Sequence, residues 1–473
     1  MNHYFDALII GAGQAGPSLA GRLTAAGWTV GLVERKDFGG TCVNTGCTPT
    51  KAMIASAKAA HTLRQAAAYG LEPVSELQVD LAKVKARKDS IVAASRNGLE
   101  SWLRQMPGCT VFVGTARFLS PTTMQVGDDV LAARHIFLNV GARPARPALP
   151  GIEAVPYLTS STILELEAVP THLVIVGAGA VGLEFAQLFR RLGSEVTLVE
   201  RSPRLLPHDD EDAAAAVADI LASEGITLRL GAECISLELE NGQPVVHVSC
   251  ETDPAPSRGS HLLLALGRQP NTDDLALEKA GLLADTHSYL PVDEQLQTAV
   301  PGIWALGECN GRGAFTHTAY NDFEIVAANL LDHGQRRVSD RLPVSAIYLD
   351  PPFAKVGQTV GELLAAGIPT LIGLRPMTKV GRAVEKGETK GFIKVLVHAE
   401  TDQILGASIV GVGGDEAIHC IITAMYARQT AAFMRTNMFI HPTVSELIPT
   451  VFGELKPLVA DAGPDAAKWL ISS

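Results

Sequence analysis

The run GGTCVNTGCTPTK, Gly39 to Lys51, sets Cys42 and Cys47 close together just before an alanine-rich helical stretch. Two thiols so placed suggest a redox pair. Five residues of regular helix rise about 7.5 Å, beyond the roughly 4.4–6.8 Å between Cα atoms that a disulfide accepts. Joining the sulfurs therefore requires a broken first turn, which Gly46 and Pro49 can supply. A cysteine at a helix N-terminus has its thiolate favoured by the positive end of the dipole, and the thiolate is the form that attacks disulfides and soft metals. A structural zinc site needs four ligands, and Cys109, Cys234, Cys250, Cys309 and Cys420 are scattered singly. No metal centre is expected.

The elements that must position this pair are visible as an internal repeat. Ala7 to Arg35, ALIIGAGQAGPSLAGRLTAAGWTVGLVER, aligns without a gap on Leu173 to Arg201, LVIVGAGAVGLEFAQLFRRLGSEVTLVER. Each copy reads as strand, glycine fingerprint, helix, strand and acid: Gly11, Gly13, Gly16 and Glu34 in the first, Gly177, Gly179, Gly182 and Glu200 in the second. In such a βαβ unit the first glycine makes the tight turn, the second admits a pyrophosphate to the backbone, and the third permits close helix–strand packing. The pyrophosphate rests on the helix N-terminus and the acid accepts from a ribose. Two sites imply two nucleotides. With a dithiol behind the first, the economical pairing is FAD there and a nicotinamide coenzyme at the second.

At 473 residues the chain is long enough for several domains. A net charge of −11 argues against a nucleic-acid footprint. The N-terminus enters a strand at once, without a secretory leader, and no apolar run reaches a membrane span. With seven cysteines in no dense framework, a reducing, cytoplasmic setting is expected. The order of elements predicts an α/β protein with two Rossmann-like dinucleotide-binding domains and a C-terminal α+β domain. Residues 1–150 would form the first part of the FAD domain, 151–270 the NAD(P) domain, 271–343 the continued FAD domain, and 344–473 a dimerisation domain. Val79 to Met106 reads as an amphipathic helix and short strands run on to Val140. Gly141 to Gly151 reads as a crossing between domains, and GFIKVLVHAETDQILGASIVG as a hairpin turning near Thr401-Asp402.

Taken together, the two fingerprints, GGTCVNTGCTPTK, the NVGARP crossing, VPGIWALGE at Val300 to Glu308 and IHPTVSE at Ile440 to Glu446 resemble the flavin-dependent pyridine nucleotide–disulfide oxidoreductases. That family includes lipoamide dehydrogenase, glutathione reductase and mercuric reductase, and the resemblance spans nearly the whole chain. It implies a homodimer with FAD along the first domain. The cofactor would contact Gly40, Thr41, Lys51, Gly141 and Gly267, with Glu34 at the adenosine ribose and Glu308 at the ribityl chain. Ala314, Phe315, Thr316 and His317 would close over the flavin. Cys47 would stack on the ring, Cys42 would exchange with substrate, and Lys51 would pair with Glu184. His441 and Glu446 would form an acid–base dyad for the cysteines of the opposite subunit, an imidazole titrating near working pH and a carboxylate fixing its tautomer.

Some residues depart from the family pattern: Glu308 stands where aspartate is usual, Asn139-Val140 replaces Ala-Thr, and Thr48 and Thr50 flank Pro49. None removes a reactive group. Glu200 favours NAD(H) over NADP(H), although Arg201 or Arg204 could clasp a 2′-phosphate. The expected substrate is a small dithiol, disulfide or lipoyl group, with lipoamide-type activity the most specific expectation. A metal-ion reductase without the extra cysteine pair near the C-terminus, and a redox-sensing flavoprotein with little turnover, are the alternatives.

Overall fold

The computed structural model describes residues 1–72, 77–249 and 255–458. Cys250 and the end of the 344–473 segment lie outside the described residues. The first sheet is built from β1 (Asn2–Ile10), β2 (Val30–Glu34), β3 (Cys109–Val113), β4 (Ala116–Ser120), β5 (Thr123–Val126) and β6 (Asp129–Leu138), in the order β3-β2-β1-β6-β5-β4. The β3-β2-β1-β6 part is parallel, whereas β4 and β5 form an antiparallel flap on the lower half of β6. The strand Ile303–Ala305 pairs in parallel with the upper half of β6 and returns the chain to this sheet. Glu308 therefore emerges beside the tips of β1 and β6, where the first fingerprint turns.

Helix α1 (Ala15–Ala25) begins inside that fingerprint and buries Leu19, Ala20 and Leu23 against the sheet. A five-residue helix, α2 (Gly40–Asn44), carries Cys42, and α3 (Cys47–Arg64) opens on Cys47. The expected amphipathic helix is α4 (Leu81–Gln105), slightly shorter than its pattern because Asp80 caps it, accepting from the Lys83 N–H at 3.1 Å. Strand β6 stops at Leu138, before the expected Val140. The Asn139 N–H still donates to the Ile10 carbonyl of β1 at 2.8 Å, and its side chain donates to the Gly11 carbonyl at 3.2 Å.

The second unit repeats the first. The strands Thr227–Arg229, Glu195–Val199, His172–Val176 and His261–Leu264 form a parallel sheet in that order, with α5 (Ala180–Leu192) leaving the second fingerprint and α6 (Glu211–Ser223) following. Ala142–Pro144 and Arg268–Pro270 pair antiparallel on either side of this second unit. The last third holds a six-stranded antiparallel sheet; its hairpin Phe392–His398 and Ile404–Val410 turns with Asp402 at φ 57°.

One hydrophobic core joins all three parts. Met53 and Ala57 from α3 pack in the same cluster as Leu183 and Phe185 from α5 and Ile347, Leu349 and Phe353 from the last third. At about 1.5–3 kcal/mol for each large side chain buried, this cluster locks the cysteine helix to both neighbours. No helix among the described residues is long and apolar enough to cross a membrane.

Candidate redox site

Gly39 and Gly40 take left-handed conformations, φ 94° and 61°, and start α2. The break falls at Thr45 and Gly46, whose φ values are −140° and −131°. A Cβ on Gly46 would lie 2.8 Å from the Thr41 carbonyl oxygen, so the tight return needs glycine there. Pro49 contributes no break. It sits in the first turn of α3, where a missing N–H leaves no bond unmade.

Both cysteines are free thiols, Cys42 half-buried and Cys47 exposed, so accessibility does not sort their roles. Charge does. A hydrogen bond from Cys42 holds the Cys47 thiol well below its usual range, at about 5; the Thr316 hydroxyl and the Lys51 ammonium add to this against burial and the Glu184 carboxylate. The same bond, with burial, pushes the Cys42 thiol up. Within the reduced pair this direction favours the proton on Cys42 and the charge on Cys47. Thr316, the first residue of α7 (Thr316–Leu331), sets its Oγ1 3.5 Å from Cys47 Sγ.

Lys51, one turn along α3 from Cys47, donates to Glu184 Oε2 at 2.7 Å. Glu184 is buried on α5, and its Oε1 accepts from the Tyr348 N–H at 2.9 Å. Lys51 Nζ also lies 4.6 Å from the centroid of the Tyr348 ring.

The two fingerprints are built alike to the atom. Glu34 accepts from the N–H groups of Ala12 and Lys36, both at 2.9 Å. Glu200 accepts from Ala178 and Ser202, both at 2.8 Å. Protein packing explains the outer glycines: a Cβ would come within 2.3 Å of a carbonyl oxygen at Gly11 and Gly16, 2.5 Å at Gly177 and 2.0 Å at Gly182. It does not explain the middle ones. Gly179 has nothing within 4 Å, and the nearest atom to a Cβ on Gly13 is the end of the Asn139 side chain at 3.2 Å. A glycine that the protein itself does not need fits a backbone kept bare for a pyrophosphate, so these residues suit a dinucleotide at each loop.

Glu308 accepts from Arg268 Nε at 2.7 Å, and the same guanidinium donates to the Ala142 carbonyl at 2.6 Å, between Gly141 (φ 62°) and Gly267 (φ 100°). Beneath this loop the buried Asp322 accepts from the Gly307 N–H and Asn310 and pairs with Arg341. Burial raises the Asp322 carboxyl above its ordinary range. Phe315 and His317 stack at 5.1 Å beside Ala314, and His317 donates to the Val344 carbonyl at 3.1 Å.

His441 Nδ1 and Glu446 Oε2 are 2.7 Å apart, with the imidazole 81% exposed and the carboxylate nearly covered. Neither makes a hydrogen bond to Cys42 or Cys47 among the described residues of the single chain. Sequence reasoning missed Arg268, Asp322 and Tyr348, whose contacts span long stretches of chain and leave no local pattern. Glu238, Glu240 and His247 form a cluster of metal-ligating types. His247 already pairs with Glu238 and Arg258 with Glu240.

Residues 5–322 match the family model described as pyridine nucleotide-disulphide oxidoreductase, and residues 344–452 match the dimerisation domain of the same family. The chain is 34% identical over 464 residues to the probable pyridine nucleotide-disulfide oxidoreductase RclA of Escherichia coli, covering 96% of this chain and 100% of that protein. The Cu(II) complex of that HOCl-induced flavoprotein disulfide reductase superposes with a TM-score of 0.87 at 33% identity, over 96% of this chain and 99% of the other. A dihydrolipoyl dehydrogenase of Chlamydia muridarum is 32% identical over 452 residues (94% of this chain, 96% of the other), and a mercuric reductase of Lysinibacillus sphaericus 31% over 442 (93% and 81%). The chain belongs to the pyridine nucleotide-disulphide oxidoreductase family. It is an FAD-dependent enzyme of that kind, and its last third is the family's dimerisation domain.

Proposed function

We propose that the protein reduces a small disulfide, of lipoyl type first, with electrons from NADH, or runs that reaction in reverse. The observation that carries this reading is the pair of free thiols either side of the Gly46 break, Cys47 opening α3 with Thr316 Oγ1 3.5 Å from its sulfur and with Lys51, held by Glu184 at 2.7 Å, one turn along. Bound FAD would supply two-electron transfer between the nicotinamide and the Cys42–Cys47 pair. Gly11, Gly13, Gly16, Glu34, Gly40, Thr41, Gly141, Gly267 and Glu308 would hold it, with Ala314 to His317 as its cover. The unit from 151 to 270 would hold the nicotinamide coenzyme, and residues 1–150 and 271–343 the flavin.

In the reduced enzyme Cys42 keeps its proton, so attack on a substrate disulfide needs a base. His441 of a second copy, oriented by Glu446, would take that proton as Cys42 Sγ bonds to one substrate sulfur and the substrate S–S bond breaks. The departing sulfur takes the proton back from the imidazole. Cys47 then attacks Cys42 Sγ, closing the enzyme disulfide and releasing the second substrate sulfur, which takes up a proton from solvent. Because the dyad makes no hydrogen bond to either cysteine of its own chain among the described residues, this sequence calls for a homodimer with shared sites.

For the coenzyme, Glu200 accepts from Ala178 in the second fingerprint with one oxygen and from Ser202 just beyond its strand with the other, as Glu34 does from Ala12 and Lys36. The Arg204 guanidinium is engaged by the carbonyls of Asp209 and Pro207. Both features favour NAD(H) over NADP(H). Seven cysteines in no dense framework fit a reducing, cytoplasmic setting.

A second reading, reduction of a metal ion bound between the two sulfurs, is favoured by the relative whose structure is a Cu(II) complex. Steady-state assay of the holoenzyme against lipoamide, glutathione disulfide, Cu(II) and Hg(II) separates the two. Disulfide turnover that Cys42→Ser abolishes supports the first, and turnover of metal ions alone replaces it with the second.

A further inference from the structure

Three parts of the chain meet at one cation. Lys51 comes from the cysteine helix, Glu184 from the helix behind the second fingerprint, and Tyr348 from the turn after the strand Val344–Ile347 of the dimerisation domain. The ammonium donates to Glu184 at 2.7 Å and faces the Tyr348 ring at 4.6 Å, while the Tyr348 N–H takes the other Glu184 oxygen at 2.9 Å. A lysine side chain has four rotatable bonds, and the Lys51 side chain is about one-third exposed. One carboxylate contact alone leaves the ammonium free to swing towards water. A ring face on its other side removes that freedom, since a cation within about 6 Å of an aromatic centroid is held by the ring quadrupole.

We infer that Tyr348 is a positioning residue of the redox centre: its ring clamps Lys51 against Glu184, and its backbone N–H fixes the carboxylate that receives the ammonium. The inference rests on the dithiol reading above. The dimerisation domain then does more than join subunits, because it aims an ammonium that stabilises negative charge on Cys47. Around that sulfur the titratable groups are Cys42 from α2, Lys51 from α3, Glu184 from α5, His317 from α7 and Tyr348 itself. Burial holds the Tyr348 phenol protonated, helped by Asp415, the Cys47 charge, Glu184 and Glu416. Its ring therefore presents a neutral aromatic face to the cation. Leucine or methionine at 348 removes the ring and leaves the N–H contact to Glu184 in place, which isolates the clamp.

The test compares wild type, Tyr348→Phe, Tyr348→Leu and Tyr348→Met as reduced holoenzymes. The readout is ultraviolet thiolate absorbance against pH, taken as the difference from the same protein carrying Cys47→Ser. Melting temperature is recorded alongside, and methionine serves if leucine prevents folding. Tyr348→Phe keeps the ring and should titrate with wild type. Loss of the ring should raise the Cys47 midpoint by about half a unit, roughly threefold fewer thiolates on the acid limb, given that one unit is tenfold. Equal midpoints in all four proteins, or a phenylalanine shift as large as the leucine one, overturn the clamp while leaving the dithiol reading intact. A wild-type Cys47 that titrates in the ordinary thiol range overturns that underlying reading instead.

Discussion

Alanine at the second and third glycines of the coenzyme fingerprint should separate the needs of the ligand from those of the fold. At Gly182 a Cβ would lie 2.0 Å from the Gly177 carbonyl oxygen and 3.1 Å from its carbon, both fixed backbone. The helix must move off the strand, and forced overpacking of this kind costs about 1–3 kcal/mol. At roughly 2–4 °C per kcal/mol for a unit of this size, Gly182→Ala should melt several degrees below wild type. At Gly179 nothing lies within 4 Å, and φ −71° with ψ 177° suits any residue. The entropic gain of alanine, about 0.4–1 kcal/mol, offsets the loss of a slightly better N-cap, and Gly179→Ala should melt with wild type. Its methyl would instead occupy the proposed approach to the pyrophosphate, and the KM for NADH should rise about tenfold, equivalent to ~1.4 kcal/mol. The assays are differential scanning calorimetry of the holoenzyme and steady-state kinetics with NADH varied. An unchanged KM in Gly179→Ala, with activity intact, would refute the assignment of this loop to the coenzyme.

Three further outcomes follow from particular contacts. His441→Gln should slow thiol exchange by about 10²–10⁴-fold, the usual worth of a general acid–base, while stopped-flow reduction of the flavin by NADH stays near wild type. Glu200→Ala removes the carboxylate that would oppose a 2′-phosphate, so the kcat/KM ratio of NADH to NADPH should fall; an unchanged ratio would count against its contact with the ribose. Lys394, 1% exposed, donates to Asp210 and Asp212 at 2.6 Å. Lys394→Met leaves two covered carboxylates without their cation, and should cost about 3–5 kcal/mol in denaturant unfolding.

The nucleotide units were legible in the sequence because their signals are local: apolar strands, glycines at fixed offsets and a terminal acid within one run of chain. The hairpin at Asp402 and the helix after Asp80 were legible for the same reason. The dithiol was legible as a pair, but not the place of its break, which two candidate residues could have supplied and Gly46 alone does. Its charge was not legible either. Which sulfur holds the proton depends on a mutual hydrogen bond, Thr316 from a helix far along the chain, and Lys51. The Lys51–Glu184 pair was reached through family resemblance alone. Tyr348, Arg268 and Asp322 had no signature, since each acts across tertiary contacts set by the shared core.

The most direct test of the central claim is addition of one equivalent of NADH to the oxidised holoenzyme under anaerobic conditions, at pH values from 4 to 8. If Cys47 lies beside the flavin as proposed, its charge should produce long-wavelength absorbance that persists above about pH 5 and fades below it, as the depressed thiol takes up its proton. Simple bleaching of the flavin at every pH, with no such band, would contradict the account.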